Sequence, residues 1–185
     1  MKKPIIIFIA VVLIIAAFIG GIFLLKYLSN RYFVVEDTPD YTKKTTVEEK
    51  NYQTPTDFTV TDAQGNEVSL SSLKGKSVVV NFWADWCPPC LSELPSFQKA
   101  YEEYDDVVFM MVNVDGTPDY ISAFAQRQGY SFPIYYDSNH SAYLAYGLST
   151  IPKSLFVDPD GKLVKYQIGM MDENTLYETI EQIRR

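Results

Sequence analysis

The only two cysteines of this 185-residue chain, Cys87 and Cys90, stand in the stretch 82–93, which reads FWADWCPPCLSE. This C-x-x-C follows an apolar, β-branched run at 78–80 and precedes residues with helical spacing. A strand, a turn and a helix in that order would place Cys87 at the helix N-terminus, where unpaired N–H groups and the helix dipole favour a thiolate. The pattern therefore predicts Cys87 as a nucleophile and Cys90, one helical turn later, as the thiol that closes or resolves a disulfide.

Three other interpretations of the cysteine pair were considered. A structural zinc site needs four ligands, but besides the two cysteines the chain offers one distant histidine, His140, in a polar turn that we expect at the surface. Covalent haem attachment needs a histidine directly after the second cysteine, and Leu91 stands there. A static disulfide stays open, although a bridge that closes so short a loop restrains the unfolded chain little. An isolated C-x-x-C within α/β patterning favours redox activity.

The elements around this pair alternate between strands and helices. A helix after the cysteines is indicated by a buried stripe of Cys90, Leu94, Phe97, Tyr101 and Tyr104. The alternation, which ends in a hairpin, predicts an α/β fold with a mixed central sheet and helices on both faces. The predicted strands are 58–61, 67–70, 77–82, 107–114, 132–136, 154–157 and 163–168, and the other predicted helices are 117–128, 141–146 and 173–184.

The N-terminal region is apolar. Residues 5–25 contain no charged side chain, and as a helix they would span about 30 Å, the thickness of the hydrocarbon layer. A cleaved signal peptide has a shorter apolar core and a small-x-small site, whereas Lys26 follows here, and no cysteine is present for lipidation. We therefore expect an uncleaved, single-pass transmembrane helix. Lys2 and Lys3 predict that residues 1–4 are cytoplasmic and that residues 26–185 are extracytoplasmic, although Lys26 and Arg31 on the other side weaken this charge bias.

The remainder divides into a predicted tether, residues 26–55, and one globular domain, residues 56–185. The tether carries five charges of each sign and no sustained apolar period, although 32–35 could dock on the domain or lie at the membrane interface. The whole chain has a net charge of −7, and residues 51–185 contain nine basic and eighteen acidic side chains. Such a domain is poorly suited to bind nucleic acid or anionic lipid.

The sequence FWADWCPPC resembles the active site of the thioredoxin superfamily. The longer stretch VVVNFWADWCPPCLSELPSF is similar to the membrane-associated TlpA/ResA-like branch of that superfamily. The resemblance extends from about residue 57 to the C-terminus, because Ile151-Pro152, the strand 154–157 and the turn DPDG resemble the family's cis-proline loop and last hairpin. The resemblance implies a thioredoxin-like fold.

Individual residues around the cysteine pair can be assigned expected roles. The resemblance implies a cis peptide bond between Ile151 and Pro152, with Pro152 facing Cys87 and the Ile151 backbone pairing with an extended substrate. Trp86, which adjoins Cys87, is expected to line the contact surface, and Trp83 to be packing. Pro88 and Pro89 lack N–H groups and so tune the redox potential, because the N–H of Cys90 is then the nearby donor left for the Cys87 sulfur.

Two positions depart from the general pattern. Asn81 stands where cytoplasmic thioredoxins typically carry a buried aspartate, and an amide cannot accept the proton of Cys90. Glu93 is the candidate substitute, since the ResA-like branch has glutamate at this spacing, although a helical glutamate is more often solvated. Lys153 follows Pro152 where the family usually has threonine. This departure could place a positive charge beside the site, but we expect the side chain to extend into solvent.

The resemblance implies a membrane-tethered, extracytoplasmic thiol-disulfide oxidoreductase that acts on protein disulfides without a bound cofactor or metal. Electrons would come from a membrane thiol carrier of the CcdA type, and substrates would include apocytochrome c, during cytochrome c maturation, or envelope proteins. The main alternatives are an oxidase that forms disulfides and a non-catalytic binding module. A thiol peroxidase needs threonine or serine three residues before its cysteine, and Ala84 stands there.

Overall fold

The computed structural model describes residues 16, 18–27 and 54–184. The chain divides into two units, Met1–Val47 and Glu48–Arg185. In the first unit, residues 16 and 18–27 are helical and exposed. No helix among the described residues is long and apolar enough to cross a membrane. The predicted cytoplasmic tail, and most of the predicted membrane span and tether, lie outside the described residues.

The second unit is built on one seven-stranded sheet in the order β2-β1-β5-β4-β3-β6-β7. Strand β3 pairs in parallel with β4 and antiparallel with β6, so the sheet is mixed, as predicted. All of the predicted strands are present. Their bounds are β1 Thr59–Thr61, β2 Glu67–Ser69, β3 Ser77–Trp83, β4 Val107–Asn113, β5 Ile134–Tyr136, β6 Lys153–Val157 and β7 Leu163–Ile168, and a 3-10 helix at Leu70–Leu73 was not predicted.

Four helices accompany the sheet, each close to its predicted position. Their bounds are α1 Pro88–Glu103, α2 Pro118–Gln128, α3 Ser141–Tyr146 and α4 Glu173–Ile183. Helices α2 and α3 end at Gly129 and Gly147, both of which have a positive φ that a side chain would disfavour.

The central strand β3 is buried along its whole length, and its alternate side chains enter two separate cores. Val79 and Trp83 join Leu94 and Phe97 of α1 and Leu176 and Ile180 of α4 in the first core. Val78, Val80 and Phe82 join Ala142 of α3 in the second core. Helices therefore cover both faces of the sheet, and the C-terminal end of β3 leads directly into the C-x-x-C.

Candidate active site: the Cys87–Cys90 disulfide

The redox pair lies at the start of α1, as predicted. Cys87 is the N-cap residue and is disulfide-bonded to Cys90, with 5.3 Å between their Cα atoms. The N–H of Cys87 donates to the Ala84 carbonyl, which closes the turn after β3. The structure thus shows the oxidised form of the pair at a helix N-terminus, where partial positive charge favours an anionic sulfur after reduction.

Pro88 and Pro89 occupy the first two helical positions, where an N–H would have no intrahelical partner. Both are exposed. The N–H of Cys90 donates to Cys87 Sγ over 3.3 Å, which is the one nearby donor that the sequence led us to expect. The dipeptide therefore limits the number of hydrogen bonds that reach the Cys87 sulfur.

The cis-proline loop, residues 148–152, lies opposite the cysteine pair. The peptide bond between Ile151 and Pro152 is cis, as the resemblance implied. The Ile151 carbonyl oxygen lies 3.9 Å from Cys87 Sγ, and Pro152 is buried. Ile151 lies two residues before the first residue of strand β6, so its backbone stands just beyond the sheet ladder, near the Cys87 sulfur.

Glu93 is buried at 2% exposure, so the alternative of a solvated surface glutamate is wrong. Its two carboxylate oxygens accept hydrogen bonds from Asn81 Nδ2 at 2.8 Å and from the N–H of Met171 at 2.9 Å. Burial raises the pKa of Glu93 to about 7, against these two hydrogen bonds, which favour the carboxylate. A carboxyl group that can gain or lose a proton near neutral pH therefore lies one helical turn after Cys90.

Asn81 lies in the centre of β3 with no exposed surface, and it holds Glu93 in place. Its Nδ2 also donates to Ser154 Oγ at 3.0 Å, on the neighbouring strand β6. Its Oδ1 has no hydrogen-bond partner among the described residues. These contacts give the amide a structural, hydrogen-bonding role.

The two tryptophans differ as predicted. Trp83 is fully buried and packs against Phe124, with 6.0 Å between the ring centroids. Trp86 is 60% exposed beside Cys87, and its Nε1 donates to Asp115 Oδ2 over 3.0 Å. That bond fixes one edge of an aromatic ring at the entrance to the disulfide, where its faces can contact a partner.

The expectation for Lys153 is wrong. Its side chain does not extend into solvent: the residue is 8% exposed, and Nζ donates to the carbonyl oxygens of Tyr146 at 2.8 Å and Gly147 at 2.9 Å. These carbonyls belong to the last turn of α3, where backbone acceptors lack intrahelical partners. The hydrogen bonds to these two carbonyl oxygens stabilise the ammonium group more than hydration in solvent would. Removal from water lowers the pKa of Lys153.

Sequence reasoning missed three contributors to the site: Ser154, Asp115 and the backbone N–H of Met171. Each reaches its partner from a distant part of the chain, 73 residues away for Ser154 and 78 residues away for Met171. A serine beside Lys153, an exposed aspartate and a backbone group carry no local pattern that would distinguish them.

The polar turn at His140 is separate from this site. His140 is exposed, as predicted, and has a positive φ of 56°. Among residues 16, 18–27 and 54–184, no three histidine, cysteine, aspartate or glutamate side chains are arranged to hold a metal ion.

Comparison with known proteins identifies the family. Residues 51–166 match the AhpC/TSA family model. The thiol-disulfide oxidoreductase ResA of Halalkalibacterium halodurans is 35% identical over 129 residues, which is 69% of this chain and 73% of that protein. The ResA of Bacillus subtilis is 33% identical over 129 residues, 69% of this chain and 72% of that protein.

The fold agrees with a solved structure. StoA from Bacillus subtilis superposes with a TM-score of 0.58 at 31% sequence identity, over 69% of this chain and 98% of that chain. The likeness shows a thioredoxin-like α/β fold with a mixed sheet and helices. The chain therefore belongs to the AhpC/TSA family and is a thioredoxin-like thiol-disulfide oxidoreductase.

Proposed function

We propose that the protein reduces disulfides in extracytoplasmic proteins while attached to the cell membrane by its N-terminal helix. The observation that carries this proposal is the placement of Cys87 at a helix N-terminus, 3.9 Å from the Ile151 carbonyl of the cis-proline loop. An extended substrate segment can pair with that backbone while its disulfide approaches the sulfur.

In this reaction the Cys87 thiolate attacks a substrate disulfide and releases one substrate thiolate, which leaves a mixed disulfide. Cys90 then loses its proton, attacks Cys87 Sγ and releases the second substrate thiolate. The substrate gains two electrons, and the enzyme is left with the Cys87–Cys90 disulfide that the structure contains.

Glu93 is the proposed acceptor of the Cys90 proton. Support comes from its burial, from its position one turn after Cys90, and from its pKa, which burial raises to about 7. A general base with a pKa near the working pH combines a deprotonated population with enough basicity to take a proton. Asn81 supports this role of Glu93, because its amide orients the Glu93 carboxylate.

The proposed cellular setting is supported by the sequence. The uncharged run 5–25 supports a membrane span, with the domain 56–185 outside the cytoplasm. Electrons would then arrive from a membrane thiol carrier of the CcdA type, and apocytochrome c, during cytochrome c maturation, or envelope proteins would be the substrates. Protease added to intact cells is expected to remove the domain. Protection in intact cells with digestion after lysis would contradict the orientation, and recovery of the domain in the medium would contradict the membrane attachment.

An insulin-reduction assay on the protein separates the enzyme from a non-catalytic binding module, which would not precipitate insulin. The reduction potential of the Cys87–Cys90 pair then separates the two directions of electron flow. We expect a value near that of thioredoxin, roughly −270 mV, and a value near that of DsbA, roughly −120 mV, would instead favour a disulfide-forming oxidase.

A further inference from the structure

The cis-proline loop has a bond across its base that the proposed reaction does not explain. Residues 148–152 leave the end of α3 at Gly147 and enter strand β6 at Lys153. Lys153 Nζ reaches back to the carbonyl oxygens of Tyr146 and Gly147 at 2.8 and 2.9 Å. The side chain thus joins the residue after the loop to the residues before it.

One end of this bond is rigid. The Lys153 backbone lies within the sheet, opposite Phe82 on β3 and Ile168 on β7. The other end is the C-terminus of α3, a helix of only six residues. Because the ammonium group satisfies carbonyls at this helix end, it fixes the start of the loop relative to the sheet.

The loop makes few other hydrogen bonds with the described residues. Leu148 is buried at 3% exposure, whereas Ser149 and Thr150 are exposed. At the end of the loop, Ile151 presents its carbonyl oxygen 3.9 Å from Cys87 Sγ. Leu148 lies in the second core and Ile151 packs against both cores, and the exposed residues Ser149 and Thr150 connect them. A shift at Gly147 would therefore be passed along this short segment to the backbone that faces the disulfide.

We propose that Lys153 is a positioning residue that, through its bonds to Tyr146 and Gly147, holds the cis-proline loop in the position that a protein disulfide requires for pairing beside Cys87. Lys153 touches neither the sulfur atoms nor the substrate, and it acts through the Ile151 backbone. A small disulfide that needs no backbone pairing does not depend on the bond. This inference rests on the proposed function, because it concerns the docking of protein substrates.

The test uses the variant Lys153→Met, which keeps most of the side-chain length but removes the donors. Lys162→Met is the matched control, because Lys162 is an exposed lysine in the turn between β6 and β7. Two substrates are compared, insulin and hydroxyethyl disulfide. For Lys153→Met we expect KM for insulin to rise about tenfold, as the loss of roughly one well-made hydrogen bond to a charged group allows. The rate with hydroxyethyl disulfide and the reduction potential should stay within about twofold of the parent values, and Lys162→Met should match the parent on both substrates.

A purely structural role for Lys153 would not produce this split between substrates. It would lower the folded fraction and so slow both substrates equally, and that result would overturn the proposal, as would an unchanged KM for insulin. Lys153→Arg, which restores donors near the same carbonyls, should recover part of the loss. If Lys153→Met does not fold, Lys153→Thr is measured in the same way and decides by the same criteria.

Amide hydrogen exchange gives a readout that does not depend on turnover. The Leu148 amide, which is buried at the start of the loop and donates to the Tyr143 carbonyl over 3.4 Å, should exchange at least about tenfold faster in Lys153→Met than in the parent, as loss of the bond frees the loop. Unchanged exchange would overturn the positioning role whatever the kinetics. A parent protein that reduces neither disulfide would contradict the proposed function, and the exchange measurement would still decide whether Lys153 holds the loop.

Discussion

Cys87 and Cys90 are bonded to each other but lie in different surroundings. Cys87 is only 4% exposed, but it lies at the entrance, flanked by the exposed side chains of Trp86, Pro88 and Pro89. Cys90 has no exposed surface and is followed, one turn later, by the buried carboxyl group of Glu93. The entrance is arranged for contact with another molecule, and the interior is arranged to handle a proton.

This difference indicates that attack on the substrate disulfide and resolution of the mixed disulfide have separate requirements. Attack on a substrate needs access and an anionic sulfur, which an N-cap position beside an open surface provides. In the resolution step, Cys90 attacks the Cys87 sulfur within the protein. This step needs no access for another molecule, but it needs a group that accepts the proton of Cys90. The predictions below test each side of the contrast.

The largest effect is expected for the cysteines themselves. Cys90→Ser should accumulate substrates as mixed disulfides with Cys87, because the attacking thiol remains and the resolving thiol is gone. Cys87→Ser should trap few or none. The adducts are counted as thiol-sensitive bands on a non-reducing gel, and equal amounts from both variants would remove the distinction between entrance and interior.

The next effect concerns the pH dependence of the stability of the folded protein, to which the buried carboxyl group of Glu93 contributes. Glu93 has a pKa of about 7 in the folded protein against 4.5 for the ordinary group, so the folded state holds the proton more tightly. The free energy of unfolding of the oxidised protein should therefore be unaffected by this group below pH 4.5, fall as the pH rises to about 7, and then level off. A shift of this size corresponds to about 3 kcal/mol. Denaturant titrations from pH 4 to 8 measure the decline.

The matched variants are Glu93→Gln and Glu178→Gln, the latter at an exposed position of α4. Glu93→Gln should abolish this part of the pH dependence, because an amide does not titrate in the range. Glu178→Gln should retain it. If Glu93→Gln keeps the full decline, some other group is responsible, and the interior carboxyl group titrates normally.

Glu93→Gln should also slow resolution of the mixed disulfide at neutral pH by about 10²-fold, the usual contribution of a positioned general base. The deficit should shrink at higher pH, since Cys90 then ionises without help, and variant and parent should converge. Stopped-flow measurement of the release of a labelled peptide thiol follows this step. A rate within about twofold of the parent across the range would leave Glu93 as a structural group.

A smaller effect is expected at the entrance. Trp86→Ala should slow the formation of the mixed disulfide with a peptide disulfide by about fivefold, equivalent to roughly 1 kcal/mol of contact energy. Trp86→Phe should lose less, because an aromatic ring remains, although it is smaller than the indole and lacks the Nε1 donor to Asp115. Resolution, which occurs in the interior, should be unchanged in both. A slower resolution step would show that the two regions are coupled.

Local patterns predicted the entrance well. The apolar run of β3, the prolines after Cys87 and the helical stripe of α1 are all short-range signals, and the structure reproduces the elements that they indicate. The cis peptide bond before Pro152 was implied by the family resemblance of the short segment around Ile151-Pro152. These features depend on neighbours in the sequence, so the sequence could show them.

The interior was less predictable. Glu93 at the margin of a helical stripe has the local pattern of a surface residue, and its burial depends on Asn81 from β3 and on the Met171 backbone from beyond β7. The resemblance to a family indicated the residue, but not its partners. Lys153 was mispredicted for a different reason. The carbonyls that it binds lie only six and seven residues earlier in the chain, but every residue carries a backbone carbonyl, so no side-chain pattern indicates them.

The free acceptor on Asn81 has a consequence for how the interior tolerates a change of charge. An amide carries both a donor and an acceptor. Asn81 Nδ2 now donates to the Glu93 carboxylate, and Oδ1 has no partner among the described residues. Rotation of the amide group by half a turn about its terminal bond would exchange these two atoms. The rotated amide could accept a hydrogen bond from a protonated Glu93, and Ser154, whose hydroxyl both donates and accepts, could remain bonded to it in either orientation. An aspartate at this position could accept but, when ionised, could not donate. Asparagine is thus a partner that can serve both protonation states of the same carboxyl group, without a second charge in the core.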